Sequence, residues 1–333
     1  MANETKDTIY DLNTVFVLKS MNLSGEIAYI TVIIALPAYI FAVVSNLLII
    51  VTVIFNRTMH EPMYILLCNL SLNDIFGISA MVPRSIFNIM FEYGLVTFPE
   101  CILQAWFLHL YGGTTLLILS VMAFDRYIAI CHPLTYHAIM SKTFLLGLIA
   151  FSWLTTCFLC FILFCLTLRH PFCRKDLPSY YCDNVSILRV TCATDITVNN
   201  VYGLFITGFF HGVGLFSVIF SYTWIIITCC KTKDSESKSK AWHTCGTHLA
   251  VFLIYEVSSS AVVLLHRFPN TPPTVQRIMG LVYVIVPNCL NPVIYGLKTK
   301  DVKSKMKFLK NRIFGMNKLK PAKSEQVKAI TTM

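Results

Sequence analysis

The chain has 333 residues, of which 56% are hydrophobic and only 13% are charged, and its formal net charge is +10. A soluble protein has roughly twice that charged fraction, so the composition excludes a soluble globular domain. The basic excess suggests contact with an anionic membrane surface, and no nucleic-acid-binding motif competes with that interpretation.

Charges and turn residues divide the sequence into seven apolar runs. Most runs are long enough to cross a bilayer as helices, and the sixth reaches that length only with its flanks. The sequence therefore predicts an all-α membrane protein with a bundle of seven transmembrane helices. The runs cover approximately residues 27–55, 63–82, 102–123, 144–168, 201–229, 249–265 and 278–296.

The ends of the chain are polar and complete the expected organisation. Residues 1–25 are expected to form a short, disordered extracellular arm without a signal peptide, and residues 26–297 the transmembrane domain. Residues 298–333 are expected to form a basic cytoplasmic tail that starts with a short amphipathic eighth helix on the membrane. Eleven of the 27 Lys and Arg residues lie at or after Lys298, which places the N-terminus outside.

Three acceptor sequons for N-glycosylation lie outside the membrane in this topology, at Asn3, Asn22 and Asn184. Asn22 is very close to the first apolar run, and Asn184 lies between cysteines. Asn3 is therefore the favoured site.

Four of the thirteen cysteines also fall outside the membrane. Four cysteines allow three disulfide connectivities, and their spacing does not choose among them. They are Cys101, Cys173, Cys182 and Cys192.

Two acids lie deep within apolar runs, Asp74 in the second and Glu256 in the sixth. An ionisable residue inside the membrane is a functional hypothesis because it needs a partner, a proton or an ion. For Asp74 the alternatives are a structural switch and a buried neutral acid that is hydrogen-bonded to Asn46 or Asn291.

The triplet Asp125-Arg126-Tyr127 stands where the third apolar run meets water. Its opposite charges are expected to hold each other until a partner displaces them, or else simply to mark the helix end. The following His132-Pro133 predicts a break at His132, because the residue before proline disfavours the α conformation.

The seventh run ends in Pro287-Asn-Cys-Leu-Asn-Pro-Val-Ile-Tyr295. Its prolines remove backbone hydrogen bonds that nearby Asn side chains can replace, which makes a hinge plausible. No internal repeat or pair of broken helices indicates a transporter, and no continuous charged path indicates a channel. His243 and His248 lack the Glu of a zinc-protease helix, so neither an enzyme nor a metal or cofactor site is expected.

Together these stretches resemble the rhodopsin-like G-protein-coupled receptors and, within them, the odorant receptors, over about residues 26–310. The segments 59–64, 122–131, 240–249 and 287–295 are similar to the family's four signatures, in order. The sequence His266-Arg267-Phe268 further resembles the class I, or fish-like, odorant receptors.

The resemblance implies a plasma-membrane receptor, located in sensory cilia if olfactory, that binds a small-molecule odorant and activates a stimulatory, olfactory-type G protein to raise cAMP. A non-olfactory chemosensory receptor is the alternative, and a transporter or channel is a remote one. The resemblance also implies the disulfides Cys101–Cys182 and Cys173–Cys192. The implied switch and coupling residues are Asp74, Asp125, Arg126, Tyr127, Tyr222, His248, Asn291, Pro292 and Tyr295.

Four positions depart from the family pattern. Ser45 replaces a usual Gly, Trp242 a usual Phe, and Glu256 a Tyr on the inward face of the sixth run. Thr115 stands where odorant receptors commonly have an acid, which puts an Asp74-centred sodium site in doubt.

Glu256 and Arg267 are eleven residues apart, so they share nearly one helix face with a rise of about 16 Å between them. In class I receptors the matching Arg and a His on the third helix are associated with carboxylate ligands. We therefore expect a small ligand with a carboxylate near Arg267, since Arg pairs with carboxylates bidentately. Glu256 either meets an amino group of an amphoteric ligand, pairs with His109 or His211, or stays protonated. The expected ligand-binding residues are His109, Gly112, Gly113, His211, Glu256, Ser259 and Arg267.

Overall fold

A computed structural model describes residues 14–19, 25–91, 94–231, 235–267 and 271–298. Within these ranges, side chains are described except at 235–244, 266–267, 273–274, 277 and 296–298. The sequon residues Asn3 and Asn22 and the predicted eighth helix after residue 298 lie outside the described residues.

Seven of the described helices are long and apolar enough to cross a membrane, which confirms the predicted all-α bundle. Short helices α4 (Tyr136–Ile139) and α6 (Asn184–Arg189) and 3₁₀ turns at Arg57–Met59 and Pro133–Thr135 lie between them. The seven long helices are α1 (Gly25–Phe55), α2 (Pro62–Phe91), α3 (Phe98–Cys131), α5 (Lys142–Leu168), α7 (Thr197–Lys231), α8 (Ser235–Arg267) and α9 (Pro273–Lys298).

The helix ends follow from local chemistry. Thr97 and Glu100 form a capping box at the start of α3, with the Thr97 backbone N–H donating to Glu100 Oε2 at 3.1 Å. The same helix ends at Cys131, directly before His132-Pro133, which confirms the predicted break. Among the described side chains of α8, the stretch Cys245–Leu265 is long and apolar enough to cross a membrane.

Helix α3 is the centre of the bundle. Its most apolar 18-residue window is 72% buried, against 28% in both α1 and α5. A central helix presents side chains to several neighbours at once, so the polar residues of α3 are placed to link them.

A three-stranded sheet covers one end of the bundle. Strand β1 (Val15–Leu18) lies between β2 (Leu95–Thr97), with which it is antiparallel, and β3 (Asp176–Leu177), with which it is parallel. The prediction of a disordered arm is therefore wrong for residues 14–19. The reason is a period-two pattern in which Phe16 and Leu18 are buried while their neighbours Val15 and Val17 are exposed.

The sheet closes a second apolar core beside the main one. The Phe16 ring packs against Phe98 and Phe172, with ring centroids 6.2 and 5.5 Å away. Disulfides join Cys101 to Cys182 and Cys173 to Cys192, the pairs that the resemblance implied. We call this end of the bundle the disulfide face, and the opposite end, where α3 terminates, the Arg126 face.

Candidate ligand cavity and switch residues

A cavity of about 260 Å³ opens among α3, α5, α7, α8 and α9 towards the disulfide face. Its lining is mostly apolar, with a few polar side chains, as ligand pockets usually are. Drug-sized ligands occupy pockets of about 300–1,000 Å³, so this one suits a smaller molecule.

The roof of the cavity is the loop after α5, held by the Cys101–Cys182 disulfide. The Cys182 backbone N–H donates to Gln104 Oε1 at 2.8 Å, and the Gln104 amide donates in turn to the Ala80 carbonyl at 2.9 Å. The Asp183 carboxylate caps α6 by accepting from the backbone N–H groups of Val185 and Ser186, at 3.0 Å each. The roof is thus fixed to α2 and α3.

The sequon residue Asn184 belongs to this roof. It is buried, and its Oδ1 accepts a hydrogen bond from the Thr167 hydroxyl at 2.7 Å. Its side chain is therefore closed to modification in the folded receptor.

The structure brings Glu256 and His211 together. His211 Nδ1 lies 2.8 Å from Glu256 Oε1, which joins α7 to α8. His211 lines the cavity, and the buried Glu256 stands beside it. Of the alternatives expected for Glu256, this conformation contains the internal pair with His211. His109, the other candidate partner, hydrogen-bonds to the Ala105 carbonyl instead.

The cavity floor is built on Gly112. The Tyr255 hydroxyl donates to the Gly112 carbonyl at 3.0 Å and lies 2.6 Å from the Tyr283 hydroxyl. A Cβ added at Gly112 would lie 2.9 Å from the Tyr283 hydroxyl. The absent side chain of Gly112 therefore makes room for this pair of tyrosines.

The remaining expected ligand residues are distributed as follows. Gly113 and Ser259 line the cavity, and a Cβ at Gly113 would meet Phe210 and Thr156 at 2.7 Å each. Arg267 is the last residue of α8, and its side chain lies outside the described part of the chain.

Below the floor, a buried polar network leads to Asp74. The Tyr111 hydroxyl donates to Asn288 Oδ1 at 2.9 Å, and the Asn288 amide donates to the Asp74 carbonyl at 3.1 Å. Asn291 donates to Asp74 Oδ2 at 2.8 Å. Asn46, the other candidate partner, donates to the Asn288 carbonyl instead.

Thr115 belongs to the same region. Its hydroxyl donates to the Tyr111 carbonyl and accepts from the Asn73 amide, at 2.8 Å each. Among the described residues, no group of three or more His, Cys, Asp or Glu side chains is arranged to hold a metal ion.

At the Arg126 face, both oxygens of the fully buried Asp125 carboxylate are occupied. Arg126 Nε donates to Asp125 Oδ2 at 3.0 Å, and a second guanidinium nitrogen forms an ion pair with the same oxygen. The Tyr136 hydroxyl donates to Asp125 Oδ1 at 2.8 Å. Burial and the neighbouring Asp125 raise the pKa of the Tyr136 phenol, so it remains a donor.

The other expected switch residues link the helices near this face. The Tyr222 hydroxyl donates to the Cys245 carbonyl at 2.8 Å and lies 3.0 Å from His248 Nδ1. His248 Nε2 bonds to the Leu119 carbonyl at 3.1 Å, so α3, α7 and α8 meet at one buried histidine. Tyr127 bonds to His132, and Pro292 and Tyr295 are buried in α9. The side chains of Trp242 and His243 lie outside the described set.

Sequence reasoning missed several residues of both sites. Tyr255 and Tyr283 were hidden in apolar runs, where a tyrosine is usually read as a core residue. Tyr136 follows the predicted break at His132 and was given no role. Leu134, two residues earlier, is 99% exposed and was also given no role.

Comparison with solved structures identifies the fold first. The crystal structure of squid rhodopsin superimposes with a TM-score of 0.70 over 88% of each chain, at 14% sequence identity. The chain therefore has the same seven-helix fold as squid rhodopsin.

Sequence comparison then gives the family. The sequence profile of the olfactory receptors matches residues 36–312. Mouse olfactory receptor 1M1 is 35% identical over 275 residues, 82% of this chain and 87% of the relative. Human olfactory receptor 4K3 is 33% identical over 306 residues, 92% of this chain and 96% of the relative. The chain belongs to the olfactory receptor family, and it is a multi-pass membrane receptor rather than an enzyme.

Proposed function

We propose that this receptor detects a small polar odorant in the cavity at the disulfide face and activates a stimulatory heterotrimeric G protein, raising cAMP. The observation that supports this most directly is the cavity of about 260 Å³ with His109, His211 and Ser259 in its walls. A small, mostly apolar site with few polar groups selects ligands by shape and by a small number of hydrogen bonds.

The disulfide face is proposed to lie outside the cell, with the N-terminus on that side. Disulfides persist in oxidising compartments, and this face contains both of them. The basic C-terminal segment then faces the cytoplasm. The receptor would be located in the plasma membrane, in sensory cilia if it is expressed in olfactory neurons, with Asn3 as its glycosylation site.

The proposed ligand bears a carboxylate that pairs with Arg267, the last residue of α8. Arg267 lies three helical turns beyond Glu256, so a ligand reaching from the cavity towards the roof would approach it. The other proposed contacts are His109, Gly112, Gly113, His211, Glu256 and Ser259.

The proposed signal runs from the cavity to the Arg126 face. Tyr255 and Tyr283 form the cavity floor, and the Tyr111–Asn288–Asp74 network lies directly below them. Ligand contact would tighten α3, α7, α8 and α9 around the cavity. The other end of α8 would then move and present Arg126 to the G protein. The proposed switch residues are Asp74, Asp125, Arg126, Tyr127, Tyr222, His248, Asn291, Pro292 and Tyr295.

Leu134 supports G-protein contact at this face. Its side chain is 99% exposed in the turn between α3 and α5, next to the Asp125–Arg126–Tyr136 cluster. A fully exposed leucine beside this cluster would bury its apolar surface if a partner covered it. We therefore include Leu134 in the proposed G-protein contact.

The test is the cAMP level in cells that co-express the full-length receptor and an olfactory-type stimulatory G protein. The cells are challenged in parallel with carboxylic acids, amino acids, amines and neutral odorants. We expect a response to compounds with a carboxylate, and we expect Arg267→Ala to abolish it at equal surface expression. An unchanged response of Arg267→Ala to acids would refute the proposed carboxylate contact.

A second variant tests coupling. Leu134→Asp is expected to abolish the cAMP response while ligand binding is retained. Ala138→Asp introduces the same charge at another exposed position of the same segment and serves as its control. Equal loss of response in both variants would contradict a specific role for Leu134.

A further inference from the structure

The hydrogen-bonding protons on the walls of the cavity are largely committed to acceptors within the protein. A ligand can bond only to donors and acceptors that are not already used within the protein. Assigning each proton to its acceptor therefore indicates which ligand groups the walls can bind. The two histidines, the two aliphatic hydroxyls and the floor tyrosines give a consistent answer.

Both cavity histidines use Nδ1 for a bond within the protein. His109 Nδ1 lies 2.9 Å from the Ala105 carbonyl, which can only accept, so Nδ1 holds the proton. His211 Nδ1 lies 2.8 Å from a Glu256 carboxylate oxygen and donates in the same way. When the ring is neutral, this leaves Nε2 of each histidine as a hydrogen-bond acceptor, and both residues line the cavity.

The hydroxyl groups follow the same pattern. Thr207 donates to the Gly203 carbonyl at 2.9 Å, and Ser259 donates to the Tyr255 carbonyl at 2.8 Å. Tyr255 gives its only proton to Gly112, so the 2.6 Å contact with Tyr283 requires Tyr283 to be the donor. These groups therefore offer oxygen lone pairs to a ligand and no protons.

The roof differs from the walls. Tyr181 and Asn184 line the cavity, and the structure shows no hydrogen bond from the Tyr181 hydroxyl or the Asn184 amide nitrogen to another described residue. Burial raises the pKa of Tyr181 well above its usual range, so its hydroxyl keeps its proton. The cavity thus presents acceptors on its walls and floor and donors on its roof.

The charged side chains in and beside the cavity lining also favour a ligand that donates protons. Within the described lining the only ionic side chain other than the histidines is the acid Asp183, and no Lys or Arg is present. Glu256, beside His211, is a second acid, and its Oε2 is buried without a partner in the described structure. A buried carboxylate with an unpaired oxygen is costly, and a nearby cation would offset that cost.

We propose that the cavity takes a ligand with an alkylammonium head, which donates its protons to His109 and His211 on the walls. Its apolar chain would lie along Leu163, Ile206 and Val262, and an acceptor group at its other end would meet the roof. The inference rests on the proposed function of ligand binding in this cavity and deepens it. Combined with a carboxylate at Arg267, it specifies an ω-amino acid or a related amphoteric compound.

The test measures ligand-induced thermal stabilisation of the purified full-length receptor, a readout that needs no G protein. The probes are linear primary amines and the alcohols, carboxylic acids and ω-amino acids of matched length. We expect amines and ω-amino acids to raise the unfolding temperature more than the matched alcohols. Stabilisation by amines that is no greater than by alcohols overturns the proposal.

Glu256→Gln tests the contribution of the negative charge of Glu256, because the two side chains have nearly the same size and shape. Its side-chain oxygen can still accept from His211, so the geometry of the wall is retained while the negative charge is removed. We expect the apparent Kd for amines to rise about 10- to 100-fold, the effect of losing one interaction with a charged group, while alcohol binding is unchanged. An unchanged amine Kd overturns the proposal.

Asp195→Asn is the matched control. Asp195 is an acid in the loop between α6 and α7, outside the cavity lining, and its Oδ1 accepts from the Thr197 backbone N–H, a role that Asn can keep. We expect amine binding to match wild type. An equal loss in this variant would assign the effect to general surface charge and overturn the proposal.

The binding test with these compounds gives one result if the ammonium subsite is wrong and a different result if the proposed function is wrong. If acids bind and amines do not, the ammonium subsite is wrong and the receptor's carboxylate pocket stands. If amines bind and no compound raises cAMP, the subsite stands and the proposed coupling fails.

Discussion

The hydrogen bond between Tyr136 and Asp125 offers a direct test of how the Arg126 face is held at rest. The Tyr136 hydroxyl donates to the fully buried Asp125 carboxylate at 2.8 Å, while Arg126 occupies the other oxygen. Tyr136→Phe removes this bond and leaves the ring in place. If the bond is present only in the resting conformation, the variant favours the active one.

The magnitude follows from the charge on Asp125. A hydrogen bond to a charged group contributes about 1.5–3 kcal/mol, and we take the lower end because Tyr136 is partly exposed. About 1.4 kcal/mol corresponds to a tenfold change in an equilibrium constant, so the active-to-resting ratio is expected to rise about tenfold.

The assay is basal cAMP per surface receptor in cells that co-express the stimulatory G protein. Tyr202→Phe is the control, since it removes one hydrogen bond to the neutral Leu159 carbonyl, at 3.1 Å, away from the Arg126 face. We expect raised basal cAMP in Tyr136→Phe alone. Unchanged or lower basal cAMP at equal surface expression would refute the idea that this bond stabilises the resting state.

Three further predictions concern stability, measured as thermal unfolding of the purified receptor. Phe16→Ala is expected to lower the free energy of unfolding by about 3–5 kcal/mol, because the ring is fully buried. Val15 is 38% exposed, so Val15→Ala is expected to be nearly neutral. Equal effects of the two variants would contradict the packing of β1. Asn288→Ala leaves the buried Tyr111 hydroxyl without its acceptor and is expected to lower the free energy of unfolding by about 1–3 kcal/mol. An unaltered unfolding temperature would contradict a stabilising role for the Tyr111–Asn288–Asp74 network. Replacing both Cys101 and Cys182 by Ser opens a link across 81 residues and is expected to cost about 4–5 kcal/mol, and a stable double variant would contradict the anchoring of the roof.

Much of the fold was predictable because its determinants are local. Long apolar runs fix the seven helices, and the proline after His132 fixes the end of α3. Strand β1 was missed because it has only four residues and pairs with segments far away in the sequence, at 95–97 and 176–177. Such pairing leaves only a short alternation of buried and exposed positions in the sequence.

The cavity was predictable in part. His109, His211, Ser259 and the two glycines of α3 were expected near a ligand, and they do line one cavity. The partner of Glu256 was left open between His109 and His211, because the choice depends on how α3, α7 and α8 are rotated against one another. The Tyr255–Tyr283 contact depends on the same rotations, since its two residues lie on different helices.

The roof was less accessible to sequence reasoning. Asp183 was given no role and Asn184 was considered only as a sequon, because their roles as a helix cap and a buried acceptor require the folded loop. The disulfide pairing could not be chosen from spacing and entered only through the family resemblance. Long-range chain geometry, rather than residue type, decides these contacts.

The central claim is that the cavity at the disulfide face controls signalling at the Arg126 face, and two glycines of α7 allow a matched test. Gly203 lines the cavity, Gly208 does not, and an added Cβ at either position meets nothing within 4 Å. The measurement is the agonist-stimulated cAMP response of Gly203→Phe and Gly208→Phe at equal surface expression. The account predicts that Gly203→Phe loses the response and Gly208→Phe keeps it. A full response from Gly203→Phe, or equal loss in both, would contradict it.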